Sequence, residues 1–130
     1  MKTHFSLTAR FAVKPEVLYK AWLSSKQHSE MTGSAAKVEP RVGGRFSAWD
    51  GYITGKTLEL HAPNRIVQAW RTGEFAESDP DSRVEIKLES VEGGTKLTLT
   101  HSEIPAGQAA SYQSGWKEWY FAPMQEYFGS

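Results

Sequence analysis

The sequence contains no cysteine, which excludes disulfide frameworks, thiolate metal sites and cysteine nucleophiles. No apolar run approaches the roughly 20 residues that a membrane-spanning helix needs, and the first residues lack the apolar stretch of a signal peptide. We therefore expect a cytoplasmic protein without a membrane span. The length of 130 residues is typical of one domain, so residues 1–130 are expected to form a single domain with its own hydrophobic core.

The net charge is zero, because 15 Lys and Arg balance 15 Asp and Glu. A balanced total argues against nucleic-acid binding, which requires a dominant basic field. The charges are nevertheless uneven: residues 1–45 hold eight Lys/Arg and three Asp/Glu, whereas residues 74–92 hold two and seven. Two interpretations remain open. The segments are ordinary solvated faces, or they guide a polar contact with another protein.

The residue types that carry most enzyme chemistry are few and scattered. No two of the four histidines stand at metal-ligand spacing, and we expect surface or strand-end positions for His4, His28, His61 and His101. No pair of carboxylates stands out against an apolar background, as acid–base catalysis requires. The sequence therefore predicts no catalytic residues, no metal site and no cofactor.

The first four-fifths of the chain shows mostly strand patterns. Apolar and polar residues alternate over 4–13, which predicts a strand. Pro15 stands where a first helical turn begins, and Ser24-Ser25 caps a second short helix. Asp50-Gly51 predicts a hairpin turn, because both central positions of such a turn take positive φ. Further alternating segments bring the total to about six to seven strands, and Ile104-Pro105-Ala106-Gly107 ends the sheet.

The last segment carries an aromatic stripe at the spacing of one long helix, formed by Tyr112, Trp116, Trp119, Tyr120, Pro123 and Tyr127. Strands followed by a separate helix indicate the α+β class, with a curved antiparallel sheet wrapped around the C-terminal helix and two short helices after strand 1. Gly115 and Pro123 are both unfavourable inside a helix. A helix kinked at these residues would leave room for a pocket.

The aromatic side chains themselves have two interpretations. They form hydrophobic core and nothing more, or they also line a cavity that contacts a ligand or partner. The second interpretation arises because buried Trp and Tyr carry N–H and O–H groups that need hydrogen-bond partners. The candidate cavity residues are Trp49, Trp70, Tyr112, Trp116, Trp119 and Tyr120.

Three segments share a distinctive order. They are Pro15–Trp22, the hairpin Val42-Gly43-Gly44-Arg45-Phe46 with Trp49-Asp50-Gly51 and Gly55, and Ile104-Pro105-Ala106 followed by Gly115-Trp116, Tyr120-Phe121 and Phe128-Gly129. In this order they resemble the C-terminal domain of the activators of the heat-shock-protein-90 (Hsp90) ATPase, in the START-like (SRPBCC, Bet v 1-like) superfamily. The resemblance implies a helix-grip fold, in which a curved sheet wraps a long C-terminal helix and leaves a cavity between them.

The resemblance also implies a function. Members of this family are mostly non-enzymatic: the namesakes bind the chaperone and stimulate its ATPase, and others bind apolar small molecules in the cavity. We therefore expect a non-enzymatic protein that contacts an Hsp90-type chaperone, with Lys37, Arg41 and Arg45 as the candidate partner surface. The alternatives are an apolar small-molecule or lipid carrier and, as a minor one, a cyclase or hydrolase using the same cavity. The eukaryotic co-chaperone also has a separate N-terminal domain that supplies much of its contact with the chaperone, and we expect this chain to lack it.

Overall fold

The computed structural model describes residues 3–129 as seven antiparallel strands in one sheet and four helical segments besides a π-helical one. Met1, Lys2 and Ser130 lie outside the described residues, and with them the start of the N-terminal segment tested above for a signal peptide. The strands run in the spatial order β1-β7-β6-β5-β4-β3-β2. Their bounds are β1 Thr3–Phe11, β2 Lys37–Val38, β3 Arg45–Ala48, β4 Ile53–His61, β5 Arg65–Thr72, β6 Ser82–Val91 and β7 Gly94–Ile104. The predicted α+β helix-grip architecture is confirmed.

Two short helices connect β1 to β2, as predicted. The first, α1, spans Pro15–Leu23 with its proline in the first turn, where no backbone N–H is needed. The second, α2, spans Ser25–Thr32, and the hydroxyl of Ser24 accepts a hydrogen bond from the Gln27 N–H at 3.2 Å. Gly33 ends α2 with a φ of 80°. No helix within residues 3–129 is both long enough and apolar enough to cross a membrane.

The C-terminal helix consists of three consecutive segments: α3 at Ala109–Gly115, a π-helical segment at Trp116–Phe121 and α4 at Ala122–Phe128. Pro123 lies one residue beyond the π-helical segment, in the first turn of α4. A proline inside a helix removes one backbone hydrogen bond, and its ring clashes with the carbonyl four residues earlier. The wider π turn accommodates this defect, because hydrogen bonds there run over five residues, as from the Ala122 N–H to the Lys117 carbonyl.

The π-helical segment also corrects the predicted aromatic stripe. A π turn contains one residue more than an α turn, so the buried face shifts by one position beyond it. Met124 is buried where Pro123 was predicted, and Phe128 packs against the core in place of Tyr127, which is 44% exposed. Trp119 is also displaced outward and is 53% exposed. The stripe prediction was therefore right for Tyr112, Trp116 and Tyr120 and wrong for Trp119, Pro123 and Tyr127.

The edge strand β1 lies beneath the end of the C-terminal helix. The Gln125 side-chain amide donates to the Arg10 carbonyl at 3.1 Å. Just beyond the strand, the Ala12 N–H donates to the Gly129 carbonyl at 3.0 Å. The α3 and α4 segments both contact β1. The helix therefore covers one edge of the sheet as well as its inner face.

Candidate binding site

An aromatic cavity of about 360 Å³ lies between the C-terminal helix and the β3–β4 turn together with the inner face of β4 and β5. Its size is at the lower end of the range for small-molecule sites in proteins. Its lining is Trp49, Tyr52, Ile53, Trp70, Tyr112, Gly115, Trp116, Trp119 and Tyr120. All six candidate cavity residues of the sequence analysis therefore meet in one place, and Tyr52, Ile53 and Gly115 were missed.

The hairpin between β3 and β4 brings Trp49 to the cavity. The predicted Asp50-Gly51 turn is confirmed, with φ of 56° and 90° and a hydrogen bond from the Tyr52 N–H to the Trp49 carbonyl at 3.1 Å. Trp49 itself has a φ of 53°, which is uncommon for a bulky residue. Its indole packs edge-on against Trp119, with ring centroids 5.8 Å apart. Packing of the Trp49 indole at the cavity therefore holds this residue in its left-handed backbone conformation.

His101 lies behind the cavity and is fully buried, so the expectation of a strand-end surface position was wrong. Strand β7 continues through His101 to Ile104, and His101 falls on its inward face. The Ser82 hydroxyl donates to the Trp70 carbonyl at 2.7 Å, so it accepts from His101 Nε2–H at 2.8 Å. The Trp116 indole N–H donates to His101 Nδ1 at 3.1 Å. Both partners fit only the neutral imidazole, and burial lowers the pKa of His101 to about 3.

His28 is the second buried histidine, which also corrects the sequence-based expectation. Its Nδ1–H donates to the Trp22 carbonyl at 2.9 Å, so its Nε2 accepts from the Tyr120 hydroxyl at 2.9 Å. Burial lowers the pKa of His28, although the hydrogen bond to Trp22 opposes this. His4 and His61 are exposed, as expected. The buried pair acts as hydrogen-bond support for aromatic residues of the cavity.

Tyr112 has its hydroxyl fully engaged. It donates to the Gln108 side-chain carbonyl at 2.6 Å, so it accepts from the Thr72 hydroxyl at 2.7 Å. Thr72 in turn accepts from the Glu74 backbone N–H at 3.1 Å. The hydroxyl of this cavity residue is therefore bonded to the protein and does not stand free toward the cavity.

Trp49 differs from these neighbours, because its buried indole N–H has no hydrogen-bond partner. Burial raises the pKa of Tyr120, and the nearby Trp49 indole opposes part of that rise. The N–H therefore approaches the Tyr120 hydroxyl, but the two do not meet the geometry of a hydrogen bond. The N–H is therefore shielded from solvent and from the cavity, and its nearest polar neighbour is the Tyr120 hydroxyl.

Gly115 faces the cavity from the last turn of α3. Its backbone is ordinary right-handed helix, with φ of −61°. A Cβ atom built there would meet only Trp119 Cδ1, at 3.8 Å. Alanine would fit and would favour the helix by about 1 kcal/mol. Neither backbone conformation nor steric crowding requires a glycine here, and its visible effect is to keep the cavity wide.

The Ser82–His101 contact does not form a nucleophile and base. The serine hydroxyl gives its proton to the Trp70 carbonyl, and the histidine donates to the serine instead of accepting from it. The geometry of nucleophilic catalysis requires the opposite direction. Among residues 3–129, no cluster of three His, Asp or Glu side chains is arranged to hold a metal ion.

Two of the predicted partner residues lie on the outer face of β2 and β3, and the third lies in the loop between these strands. Lys37 and Arg45 point away from the core, whereas Arg41 lies in the preceding loop and pairs with Glu39 at 3.7 Å. Lys56 was missed, although it stands directly across from Arg45 in the β3–β4 register. Lys37, Arg45 and Lys56 are all exposed, and together we call them the basic outer face.

Comparison with known families gives one match that covers most of the chain. The family model described as Activator of Hsp90 ATPase homolog 1-like protein matches residues 12–129. The human protein named Activator of 90 kDa heat shock protein ATPase homolog 1 is 27% identical over 124 residues, which are 95% of this chain and 36% of the human protein. The chain therefore spans about a third of the length of this curated relative.

Solved structures show the same fold. An HSP90 activator from Plasmodium falciparum superposes with a TM-score of 0.88 at 33% identity, covering 95% of this chain and 94% of that one. The Aha1 dimer from Colwellia psychrerythraea superposes with a TM-score of 0.78 at 17% identity, covering 95% and 94% respectively. At that lower identity the second likeness shows the fold alone.

Proposed function

The chain belongs to the Activator of Hsp90 ATPase homolog 1-like family, and from this membership we propose that it is a non-catalytic binding protein whose partner is an Hsp90-type chaperone. The observation that carries the proposal is the likeness to the Plasmodium falciparum HSP90 activator over nearly the full length of both chains. The solved chain is similar in length to this one. The hydrogen-bond directions at Ser82 and His101 are those of a structural contact and do not make a nucleophile and its base.

We place the chaperone contact on the basic outer face. Arg45 and Lys56 are directly opposite each other on antiparallel strands, an arrangement in which like charges repel. Within residues 3–129, neither side chain forms an ion pair with a carboxylate. An acidic partner surface would relieve this repulsion and would steer association. Arg41 contributes less in this proposal, because Glu39 already neutralises it.

A titration of the cognate chaperone, with and without nucleotide, tests this contact. Arg45→Glu combined with Lys56→Glu is expected to weaken binding about tenfold or more at low salt, and added salt should narrow the difference. The matched control is Lys14→Glu with Lys20→Glu, which makes the same charge change at exposed positions beside and within α1. Equal loss in both double variants would reject the surface. Absence of binding by the unaltered protein at tens of micromolar would reject the partner.

A second function is supported by a separate observation, the open aromatic cavity. We propose that it holds a small apolar molecule. A core kept only for stability would be expected to fill a space of about 360 Å³, because protein interiors are close-packed. Gly115 also supports cavity binding. Glycine destabilises the helix at this position, where a larger side chain would enter the cavity.

Gly115 also provides the test of cavity binding. Gly115→Leu is expected to fill part of the cavity and abolish the thermal stabilisation that apolar ligands give by binding the folded state. Gly115→Ala is the matched control, because it gives the same gain in helix propensity with far less volume. Both variants should remain folded. Equal ligand stabilisation of all three proteins would show that binding takes place elsewhere.

A further inference from the structure

Two exposed aliphatic residues lie beside the basic outer face. The side chains of Val42 and Leu58 are 59% and 42% exposed, and neither belongs to the hydrophobic core of the described residues. Single exposed aliphatic residues are common on protein surfaces and need no explanation. These two are brought together by backbone hydrogen bonds, which makes them a candidate for a partner contact. We call them the aliphatic pair.

A β-bulge places Leu58 at the surface. In the β4–β5 register Thr57 is opposite Gln68 and Glu59 is opposite Val67, so Leu58 is an extra residue without a partner in β5. Thr57 is buried, and its hydroxyl accepts a hydrogen bond from the Gln68 side-chain amide at 3.2 Å. The extra residue interrupts the alternation of the strand and turns Leu58 outward. Bulges commonly reorient a side chain in this way.

The loop between β2 and β3 holds Val42 next to this strand. The Gly43 N–H donates to the Thr57 carbonyl at 2.8 Å, and the Thr57 N–H donates to the Gly44 carbonyl at 2.9 Å. Val42 immediately precedes Gly43, and Leu58 immediately follows Thr57. The two members of the aliphatic pair are therefore neighbours, although 16 positions separate them in the chain.

Hydrogen bonds within the loop fix its conformation. The Gly44 N–H donates to the Arg41 carbonyl at 2.9 Å, and the Arg45 N–H donates to the Glu39 carboxylate at 2.7 Å. A Cβ atom at Gly44 would lie 2.5 Å from the Glu39 carbonyl oxygen, so the loop closes this tightly only with glycine there. Val42 is thus presented on a pre-organised loop, which reduces the entropy lost when a partner binds.

The charge beside the aliphatic pair is positive. Lys56 precedes Leu58 by two residues in β4, and Arg45 is directly across from Lys56. Within residues 3–129, neither cation forms an ion pair with a carboxylate. The carboxylate next to Leu58 belongs to Glu59 and is already paired with Arg65 at 2.7 Å. An apolar centre with unpaired cations beside it is complementary to an apolar side chain with carboxylates beside it.

We infer that the aliphatic pair and the basic outer face together bind an acidic protein segment that carries an apolar side chain, and that the aliphatic pair receives this side chain. The inference rests on the proposed chaperone contact and specifies the chemistry of the partner at that surface. Burial of the apolar side chain supplies affinity that salt does not screen, whereas the cations steer association and are screened.

An anionic membrane surface is the other class of partner that basic and apolar residues together attract. Surface-bound proteins usually meet a membrane with an amphipathic helix, whose apolar face is rich in Trp, Phe and Leu. Here the apolar residues are two aliphatic ones on a strand and a fixed loop. This arrangement favours a shallow protein contact over insertion into lipid.

Titration of the cognate chaperone at low and at high salt tests the inference. Val42→Ser combined with Leu58→Ser is expected to weaken binding about fivefold or more at both salt concentrations, because the lost contact is apolar. The loss in the Arg45→Glu and Lys56→Glu variant should instead shrink as salt is added. Val42→Ser alone has a matched control in Val17→Ser, which makes the same change at a 38% exposed position of α1. Circular dichroism checks that every variant is folded.

Synthetic peptides separate the chemistry of the partner from its identity. An acidic peptide with one central leucine is compared with the same peptide carrying serine there, and with one in which lysine replaces the acidic residues. NMR on nitrogen-15-labelled protein follows the titrations. The leucine peptide should shift the amide signals of Val42, Gly43 and Leu58 and bind about threefold or more tighter than the serine peptide. The lysine peptide should not bind, because like charges repel.

The possible failures are distinguishable. A chaperone affinity that falls no more in the aliphatic variants than in Val17→Ser would overturn the inference and leave the chaperone contact standing. Failure of the chaperone to bind, together with a preference for the leucine peptide, would reject the chaperone and support the partner chemistry. Equal binding of the leucine and serine peptides would overturn the role of the aliphatic pair. Phosphatidylserine vesicles that bind the unaltered protein but not Leu58→Ser would overturn the protein partner in favour of a membrane.

Discussion

At the scale of single residues, His101 is a titratable side chain whose partners accept only its neutral form. Its pKa is lowered to about 3 by burial, against 6.5 for a free histidine. Above about pH 6.5 both folded and unfolded chains hold it neutral, so it adds no pH dependence. Between about pH 6.5 and about pH 3 the unfolded chain binds a proton that the folded chain does not, and stability falls as the pH falls.

We therefore expect acid destabilisation of about 1.4 kcal/mol per pH unit from His101 in that window, with His28 acting in the same direction. Urea unfolding followed at several pH values measures it. His101→Gln replaces the imidazole by an amide that donates and accepts but does not titrate. It should be less stable at neutral pH yet lose less stability on acidification. His4→Gln, on the exposed side of β1, is the control. An unchanged pH slope in His101→Gln would contradict the assignment.

The burial of His101 could have been predicted from the sequence. Leu97, Leu99 and His101 continue one alternating pattern on the inward face of β7. The polar Ser102 and Glu103 that follow His101 resemble a strand end, which is why a strand-end position was expected. His28 offered no such signal. Its burial depends on the distant Tyr120 hydroxyl, a contact that local pattern does not reveal.

At the scale of elements, Gly55 fixes how closely β3, β4 and β5 approach. It lies opposite Phe46 on one side and Trp70 on the other. A Cβ atom there would overlap the Ala69 carbonyl and the Phe46 ring. No space in the sheet accommodates this added Cβ atom. The backbones of β4 and β5 would have to move apart to make room for it.

Gly55→Ala is accordingly expected to lower the free energy of unfolding by about 3 kcal/mol. Gly73→Ala is the matched control, since an added Cβ there meets only Tyr52 Cδ1 at 3.9 Å and should change stability by no more than about 0.5 kcal/mol. Urea denaturation followed by circular dichroism compares the two variants. Similar stabilities for both would show that β4 shifts more easily than the packing implies.

The type of each element could be predicted from the sequence. Which residues of the C-terminal helix face the core could not be predicted beyond its first turns. The spacing of Tyr112, Trp116 and Tyr120 predicts a helix correctly. Pro123 signals a defect, but sequence does not decide between a kink and an inserted residue. The burial of Phe121 and Met124 accompanies the inserted residue, and that packing depends on the whole core.

At the scale of the whole molecule, the sheet separates the two proposed binding functions. Successive residues of a strand point to opposite faces. Along β4, Ile53 faces inward and lines the cavity, whereas Lys56 faces outward, so the basic outer face and the aromatic cavity use different sides of the same sheet. Neither function requires the other's side chains.

We expect the two functions to be separable by mutation. The Arg45→Glu and Lys56→Glu double variant should keep cavity affinity within about twofold, and Gly115→Leu should keep chaperone affinity within about twofold, because side chains on opposite faces without shared partners act additively. Calorimetric titration of each variant with each partner gives the four values needed. If a folded single-face variant lost both activities, the faces would be coupled through the sheet.

The residues of the cavity could be predicted from the sequence, but the volume of the cavity could not. Large aromatic residues predict burial, whereas a remaining volume of about 360 Å³ is a small difference between the space enclosed and the side chains that fill it. The position of Lys56 opposite Arg45, by contrast, could have been predicted from the sequence. A two-residue turn at Asp50-Gly51 fixes the register that sets Arg45 opposite Lys56.

The contact between β1 and the end of the C-terminal helix bears on solubility. A nine-residue strand at a sheet edge is a template for pairing with other chains and so for aggregation. Here the Gln125 side chain hydrogen-bonds to the Arg10 carbonyl, and the Gly129 carbonyl accepts from the Ala12 N–H. At the opposite edge, β2 has only two residues and one is a lysine, which also discourages pairing. Any treatment that loosens α4 would therefore expose an aggregation-prone strand before it unfolded the sheet.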